Sequence, residues 1–209
     1  KDWEKTYNKR ALEALHKALE LTTAYKLETG ALRGKLMMNI CIATARVRRH
    51  EQALIDCNEA IELSKVELDG LFKDTHQVAS AYLARGGALL ADNDFGEAAR
   101  DFRRAAELES SPDAKREAQE KQRNAEWRAK EWEKNPDREK ILGLPANFGQ
   151  LNQKSQCAWL KKSYKKMVLK WHPDKNKGNP ERGRRKFEEV QVAKKAMAQQ
   201  LGCKGRRRL

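Results

Sequence analysis

A short pattern of small and bulky residues recurs three times in the first half of the sequence. In each copy an alanine is followed four residues later by a bulkier residue and, after three more, by a second alanine: Ala11, Leu15 and Ala18; Ala53, Cys57 and Ala60; Ala98, Phe102 and Ala105. These spacings place each set on one face of an α-helix, where the alanines allow a neighbouring helix to approach closely. The pattern predicts helices packed on helices.

A second small residue precedes two of the copies, since Cys41 stands twelve residues before Ala53 and Gly86 twelve before Ala98. This arrangement resembles the tetratricopeptide repeat, a helix–turn–helix unit. We predict repeats near 34–67 and 79–112, with residues 7–21 as the second helix of a truncated repeat. The copies lie further apart than the usual repeat length, so the segments around Thr22–Gly30 and Ser64–Lys73 are predicted to be lengthened. An ordinary helical bundle with alanine-rich seams is the alternative.

A densely charged segment follows these repeats. Ser111 is suited to cap a helix, and Pro112 and Asp113 are suited to its first turn. The helix should run to about Lys134, and such a polar helix usually bridges domains. We therefore divide the chain into helical repeats (1–112), a charged capping or linker helix (113–136) and a C-terminal domain with a basic tail (137–209).

The net charge of +14 lies entirely in that last segment. Residues 137–209 contain 20 Lys and Arg against 6 Asp and Glu, whereas residues 1–136 contain 24 of each. This asymmetry predicts an anionic partner for the C-terminal domain, such as nucleic acid, lipid headgroups or an acidic protein surface. No run of eighteen apolar residues occurs, so no membrane span is predicted.

The C-terminal segment predicts two antiparallel helices joined by a polar loop. Apolar residues from Leu160 to Trp171 form one stripe, and lysines cover the opposite face. Pro173 ends the first helix, and Asn179 with Pro180 begins the second. The loop carries the tripeptide His172-Pro173-Asp174.

This tripeptide, between a basic helix and the Lys186-Phe187-Glu188-Glu189 helix, resembles the J-domain of DnaJ-type co-chaperones. Together with the repeats, the chain resembles a tetratricopeptide-repeat J-protein of all-α fold. The resemblance implies that the loop triggers ATP hydrolysis by a DnaK-type heat-shock chaperone and that the basic face docks on it. The residues it implies for this partner are His172, Pro173, Asp174, Tyr164, Lys161, Lys165 and Lys166.

Some repeat proteins of this type grip an acidic chaperone C-terminus with a clamp of one asparagine and two basic residues. Asn39 matches the asparagine, but Ser80 and Ala84 stand at the basic positions, so the clamp pattern is incomplete. We take Asn39 and Arg85 as the candidate groove residues for a client or chaperone peptide.

The four cysteines are widely separated and include no Cys-x-x-Cys pair. Neither a zinc site nor a disulfide framework is predicted, and we expect small buried thiols in a reducing compartment. Cys57 and its neighbours are most similar to the cytosolic member of the group, so we expect a cytoplasmic protein. The endoplasmic reticulum lumen is the alternative, if a signal sequence precedes Lys1.

The leading hypothesis is a co-chaperone, not an enzyme, that needs no metal or cofactor, since no catalytic constellation is evident. One alternative is a scaffold subunit with a degenerate J-like module, suggested by departures such as Lys194 where the family usually has tyrosine. The other is RNA or ribosome binding through the basic tail at Arg206, Arg207 and Arg208.

Overall fold

A computed structural model describes residues 2–25, 30–66, 75–176 and 179–203. Within these ranges the chain is helical and contains no strand, which confirms the predicted all-α fold. The α-helices are α1 Asp2–Ala24, α2 Gly30–Arg46, α3 His50–Val66, α4 Thr75–Ala91, α5 Phe95–Leu108, α6 Pro112–Lys134, α7 Arg138–Leu142, α8 Gln153–Lys170 and α9 Pro180–Gln200. Short 3₁₀ turns occupy Phe148–Gln150 and Pro173–Lys175.

The chain divides into two compact units, residues 1–131 and 132–209. In the first unit α2 and α3 form one helical hairpin and α4 and α5 form the next, as the predicted repeats require. The two hairpins turn in the same way, because Arg48 and Asn93 both adopt the left-handed conformation at φ of 59° and 58°. After each of them a backbone N–H returns to the preceding helix, from Arg49 to the carbonyl of Thr44 and from Asp94 to that of Leu89.

The repeated small residues of α3 and α5 lie in the core of this unit. Ala53, Cys57 and Ala60 are fully buried, and Ala98, Phe102 and Ala105 are at most 1% exposed. The charged helix α6 adds to the same core through two alanines. Ala118 packs with Ala79 and Ala105, and Ala125 packs with Ala88 and Phe102. Because the two buried side chains of α6 are small, this helix packs on the repeats while its exposed face stays charged.

The second unit has a separate core between α7, α8 and α9. The predicted apolar stripe of α8 faces this core, which contains Leu160, Trp171, Val190, Met197 and Leu142. Local caps set the helix ends as their residue types favour. The side chain of Asn152 accepts a hydrogen bond from the Ser155 N–H, and that of Asn179 accepts one from the Arg182 N–H, with Pro180 in the first turn of α9.

The prediction of unpaired cysteines was wrong. Cys41 of α2 is disulfide-bonded to Cys57 of α3, and Cys157 of α8 is bonded to Cys203 after α9. Antiparallel packing brings the Cα atoms of the first pair to 4.6 Å and those of the second to 5.7 Å. These distances lie in the range that a disulfide spans. The disulfide pairing therefore follows from how the helices pack, and the spacing of the cysteines along the sequence does not reveal that packing.

Candidate functional site

The His-Pro-Asp tripeptide lies at the C-terminal end of α8, on the surface of the second unit. The helix stops after Lys170 because Pro173 has no N–H to donate to the preceding turn. The backbone then forms the 3₁₀ turn Pro173–Lys175, in which the Lys175 N–H donates to the His172 carbonyl at 2.9 Å. The tripeptide is therefore part of a hydrogen-bonded turn.

The side chains of His172 and Asp174 both remain accessible in this turn. The His172 side chain is 46% exposed and the Asp174 side chain 84% exposed. The Asp174 N–H donates to Nδ1 of His172 at 3.3 Å, and an Asp174 carboxylate oxygen lies 3.6 Å from the same nitrogen. On its other side the imidazole meets Phe187 of α9 edge-on, with ring centroids 6.4 Å apart. The turn thus presents an imidazole and a carboxylate side by side.

The basic face of α8 leads up to this turn. Lys161, Lys165 and Lys166 are all exposed, and spacings of four and one residue put them on one side of the helix. Tyr164 is partly buried against the core, and Nζ of Lys194 lies 5.6 Å from the centre of its ring. The structure therefore brings the predicted partner-binding residues of the second unit onto one helix and the turn that follows it.

The predicted groove residues of the first unit lie in different environments. Asn39 is exposed on α2, and its side-chain oxygen accepts a hydrogen bond from Gln77 at 3.2 Å. Arg85 of α4 is instead held inside the hairpins. Its guanidinium donates to both carboxylate oxygens of Asp101 at 2.8 and 2.7 Å and to the side-chain oxygen of Asn58 at 2.8 Å. These contacts give Arg85 a structural role in joining α3, α4 and α5.

The charges of this pair respond to burial and to each other. Burial lowers the pKa of Arg85, but the hydrogen bonds and negative charge of Asp101 outweigh it, so this pKa lies above its ordinary value. Burial also raises the pKa of the Asp101 carboxyl, against the opposing effect of Arg85. Arg85 therefore remains a cation in the fold.

A cavity of about 590 Å³ opens between α2, α4 and α6 of the first unit. Ser80 and Ala84, which stand where the clamp would need basic residues, line it together with Leu83. Basic side chains also line the cavity, but they come from Arg46 at the end of α2 and from Arg48 in the turn before α3. Sequence reasoning missed these arginines because it searched only the positions at which the clamp places its basic residues.

A comparison with known protein families matches residues 140–201 to the DnaJ domain. This segment is a DnaJ domain. It contains the exposed tripeptide turn, the basic face and both long helices of the second unit.

Relatives that match about three quarters or more of the chain carry related names. The chain is 34% identical over 158 residues to the DnaJ protein P58IPK homolog of Arabidopsis thaliana, a match covering 76% of this chain and 28% of the relative. It is 33% identical over 180 residues to the DnaJ homolog subfamily C member 7 homolog of Schizosaccharomyces pombe, covering 86% and 32%. It is 28% identical over 164 residues to human DnaJ homolog subfamily C member 7, covering 74% and 28%.

These relatives confirm the predicted similarity to tetratricopeptide-repeat J proteins. The chain spans about a third or less of the length of each of the three. In the ranges that the structure describes, no helix is long and apolar enough to cross a membrane, and no group of three or more His, Cys, Asp or Glu side chains is arranged to hold a metal ion. The basic tail at Arg206, Arg207 and Arg208 lies outside those ranges.

Proposed function

We propose that this chain is a co-chaperone that binds a DnaK-type heat-shock chaperone through its DnaJ domain and stimulates ATP hydrolysis by that partner. The observation that carries the proposal is the hydrogen-bonded turn that exposes His172 and Asp174 directly after the basic face of α8. A partner that touches the lysines therefore also meets the imidazole and the carboxylate. In this proposal His172, Pro173 and Asp174 trigger hydrolysis, while Tyr164 and the lysines hold the partner.

The lysines act mainly on the rate of encounter. An exposed ion pair contributes only about 0.2–1 kcal/mol, so Lys161, Lys165 and Lys166 supply modest affinity. A cluster of like charges on one helix face raises the association rate with an acidic surface more strongly, and salt screens this effect. The proposal therefore places an acidic surface on the partner.

The repeats serve a second partner in this proposal. The cavity between α2, α4 and α6 combines an apolar wall at Leu83 with basic side chains at Arg46 and Arg48. Such a wall suits an extended client or chaperone peptide with apolar and acidic side chains. Asn39 is exposed and available to such a peptide, whereas the hydrogen bonds of Arg85 are directed inward.

The cysteines favour an oxidising compartment as the site of this activity. The expectation of a cytoplasmic protein included unpaired thiols, but all four cysteines are paired. Disulfides persist in oxidising environments and are rare in the cytosol. The disulfides therefore support the endoplasmic reticulum lumen rather than the cytoplasm as the location of this chain. Trapping thiols with an alkylating reagent in the native cells, followed by mass spectrometry, tests this: alkylated Cys41 and Cys57 would contradict it.

The deciding experiment for the co-chaperone proposal is single-turnover ATP hydrolysis by a DnaK-type chaperone. We expect the wild-type chain to accelerate hydrolysis and His172→Gln to lose that acceleration. The matched control is His16→Gln, which makes the same chemical change on the exposed surface of α1 and should behave as wild type. Equal rates with wild type and His172→Gln would contradict the proposal. A stable large assembly in a pull-down, without stimulation of ATP hydrolysis, would favour a scaffold role.

A further inference from the structure

The end of α8 leaves a backbone carbonyl in need of a donor. In a continuing helix the carbonyl of Lys170 would accept from the N–H of residue 174, but the Asp174 N–H donates to the His172 ring. The side chain of Asn176 supplies the missing donor. Its Nδ2 lies 2.9 Å from the Lys170 carbonyl oxygen and 2.9 Å from the His172 carbonyl oxygen. One amide therefore joins the last turn of α8 to the first residue of the tripeptide.

Asn176 is itself held from the other side by α9. Its backbone carbonyl accepts from the Asn179 N–H at 3.1 Å, just before α9 begins. Its side chain packs directly over Gly183, which is buried in that helix. A Cβ at residue 183 would lie 2.7 Å from Cβ of Asn176 and 3.3 Å from its Cγ.

The glycine at this position is explained by the approach of Asn176. Gly183 lies inside α9 and does not have the positive φ found at Gly143 and Gly202. An alanine would suit a helix interior better than glycine, by about 1 kcal/mol. The space that the missing Cβ leaves is filled by Asn176, so the contact, rather than the backbone conformation, requires glycine.

We propose that Asn176 is a positioning residue for the His172-Pro173-Asp174 turn, and that Gly183 is the space in α9 that admits it. The two amide hydrogen bonds hold the His172 carbonyl against the end of α8, and this fixes the direction in which His172 and Asp174 leave the helix. Orienting the two side chains in this way before the partner docks removes an ordering cost from the step that triggers hydrolysis. The inference rests on the proposed co-chaperone function.

Two substitutions test the proposal without changing His172, Asp174 or the lysines. Asn176→Asp keeps the shape of the side chain but replaces its donor by an oxygen that faces two carbonyl oxygens. Gly183→Ala places a methyl group against Asn176 and displaces it. Both variants of the full chain should lower the maximal stimulation of single-turnover ATP hydrolysis by about tenfold, with less than about threefold change in the half-saturating concentration. The reason is that the docking face is unchanged.

A double-mutant cycle separates positioning from general loss of structure. In an Asn176→Gly background the side chain that Gly183→Ala would strike is absent, so adding Gly183→Ala should have no further effect on the rate. The control is Gly149→Ala in the same unit, where a Cβ would meet nothing within 4 Å. Additive losses in the double variant, or wild-type stimulation by folded Asn176→Asp, would overturn the proposal.

A direct readout distinguishes this proposal from the co-chaperone proposal itself. The Lys175 N–H donates to the His172 carbonyl, so its hydrogen exchange reports on the turn without any partner. Asn176→Asp and Gly183→Ala should each accelerate Lys175 exchange at least about fivefold in the full chain, while amides in α5 are unchanged. Unchanged Lys175 exchange would overturn the positioning role even if ATP hydrolysis were never stimulated.

Discussion

Cys41 is disulfide-bonded to Cys57 across the first hairpin. The equivalent residues of the second hairpin, 45 positions further along the chain, are Gly86 and Phe102, and Gly86 packs against the ring of Phe102. Both pairs join the two helices of a hairpin at a point of close approach. In the first hairpin a covalent bond fills this point, and in the second an aromatic ring lies over a residue with no side chain. The two hairpins therefore solve one packing problem with different chemistry.

Gly86 and its neighbour Gly87 offer a matched test of this packing. A Cβ at residue 86 would lie 2.6 Å from Cε1 of Phe102, which is 1% exposed, whereas a Cβ at residue 87 would meet nothing within 4 Å. We expect Gly86→Ala to lower the free energy of unfolding by about 1–3 kcal/mol because the core is overpacked. Gly87→Ala should raise it by about 0.5–1 kcal/mol through helix propensity. Urea unfolding of the full chain measures both, and equal effects would contradict the assignment.

Cys57→Ser should remove the cross-link between α2 and α3. Opening a loop of this length costs about 3 kcal/mol in the chain-entropy model, and the fully buried site leaves the new hydroxyl poorly solvated. The paired substitution Cys41→Gly with Cys57→Phe copies the second hairpin and should recover part of the loss. Unfolding in the absence of reductant measures these differences. A paired variant no more stable than Cys57→Ser would show that the two sites are not equivalent.

The Cys157–Cys203 bond should stabilise the DnaJ domain at the end opposite the tripeptide turn. It joins the first turns of α8 to Cys203, three residues beyond the end of α9, and Gln153 also donates to the Leu201 carbonyl nearby. Cys157→Ser with Cys203→Ser should lower the stability of this unit by about 4 kcal/mol. Hydrogen exchange of α8 and α9 peptides in the full chain should accelerate, while α4 and α5 stay unchanged. Unchanged exchange in α8 and α9 would contradict the prediction.

Replacing Arg85 should lower the free energy of unfolding, because its contacts are structural. Arg85→Ala leaves Asp101 buried without its partner, so we expect a loss of about 2–3 kcal/mol in the free energy of unfolding. Arg85→Lys should recover only part of this because an ammonium cannot reproduce the two-pronged contact. Asn39→Ala, on the exposed face of α2, should change stability by less than about 0.5 kcal/mol. Unfolding curves of the three variants measure this, and a neutral Arg85→Ala would contradict the structural role of Arg85.

The basic face of α8 should control the rate of partner association. We expect the triple variant Lys161→Gln, Lys165→Gln and Lys166→Gln to lower the association rate with a DnaK-type chaperone at least about tenfold at low salt and much less at high salt. Stopped-flow binding across a salt series measures this.

The control for that experiment removes the same number of charges elsewhere. Lys115, Arg128 and Lys130 are exposed on α6, and their replacement by glutamine should leave the rate nearly unchanged. An equal slowing by both triple variants would show that net charge, rather than the α8 face, sets the rate.

Local signals were sufficient to predict the helices and their ends. The alanine pattern, Pro112, Pro173 and the Asn179-Pro180 pair each act through residues one to four positions away, and α6, α8 and α9 begin or end at or close to them. The same local signals predicted that His172-Pro173-Asp174 lies in a turn between two helices. The basic face of α8 was predictable for the same reason, since helical periodicity alone assigns its lysines to one side.

Contacts between helices were decided only by the tertiary structure. Periodicity shows which face of a helix is buried, but it does not give the axial register or the separation of two packed helices. Cys41 contacts Cys57, and Arg85 contacts Asp101, because the helices that carry them pack with a particular axial register. Asn176 contacts Gly183 because the loop after α8 packs against α9 at that residue. The sequence by itself thus determined the all-α fold, the caps and the partner-facing turn. The distance and register between packed helices decided which cysteines form disulfides, which charged side chains form a structural ion pair and which side chain holds that turn.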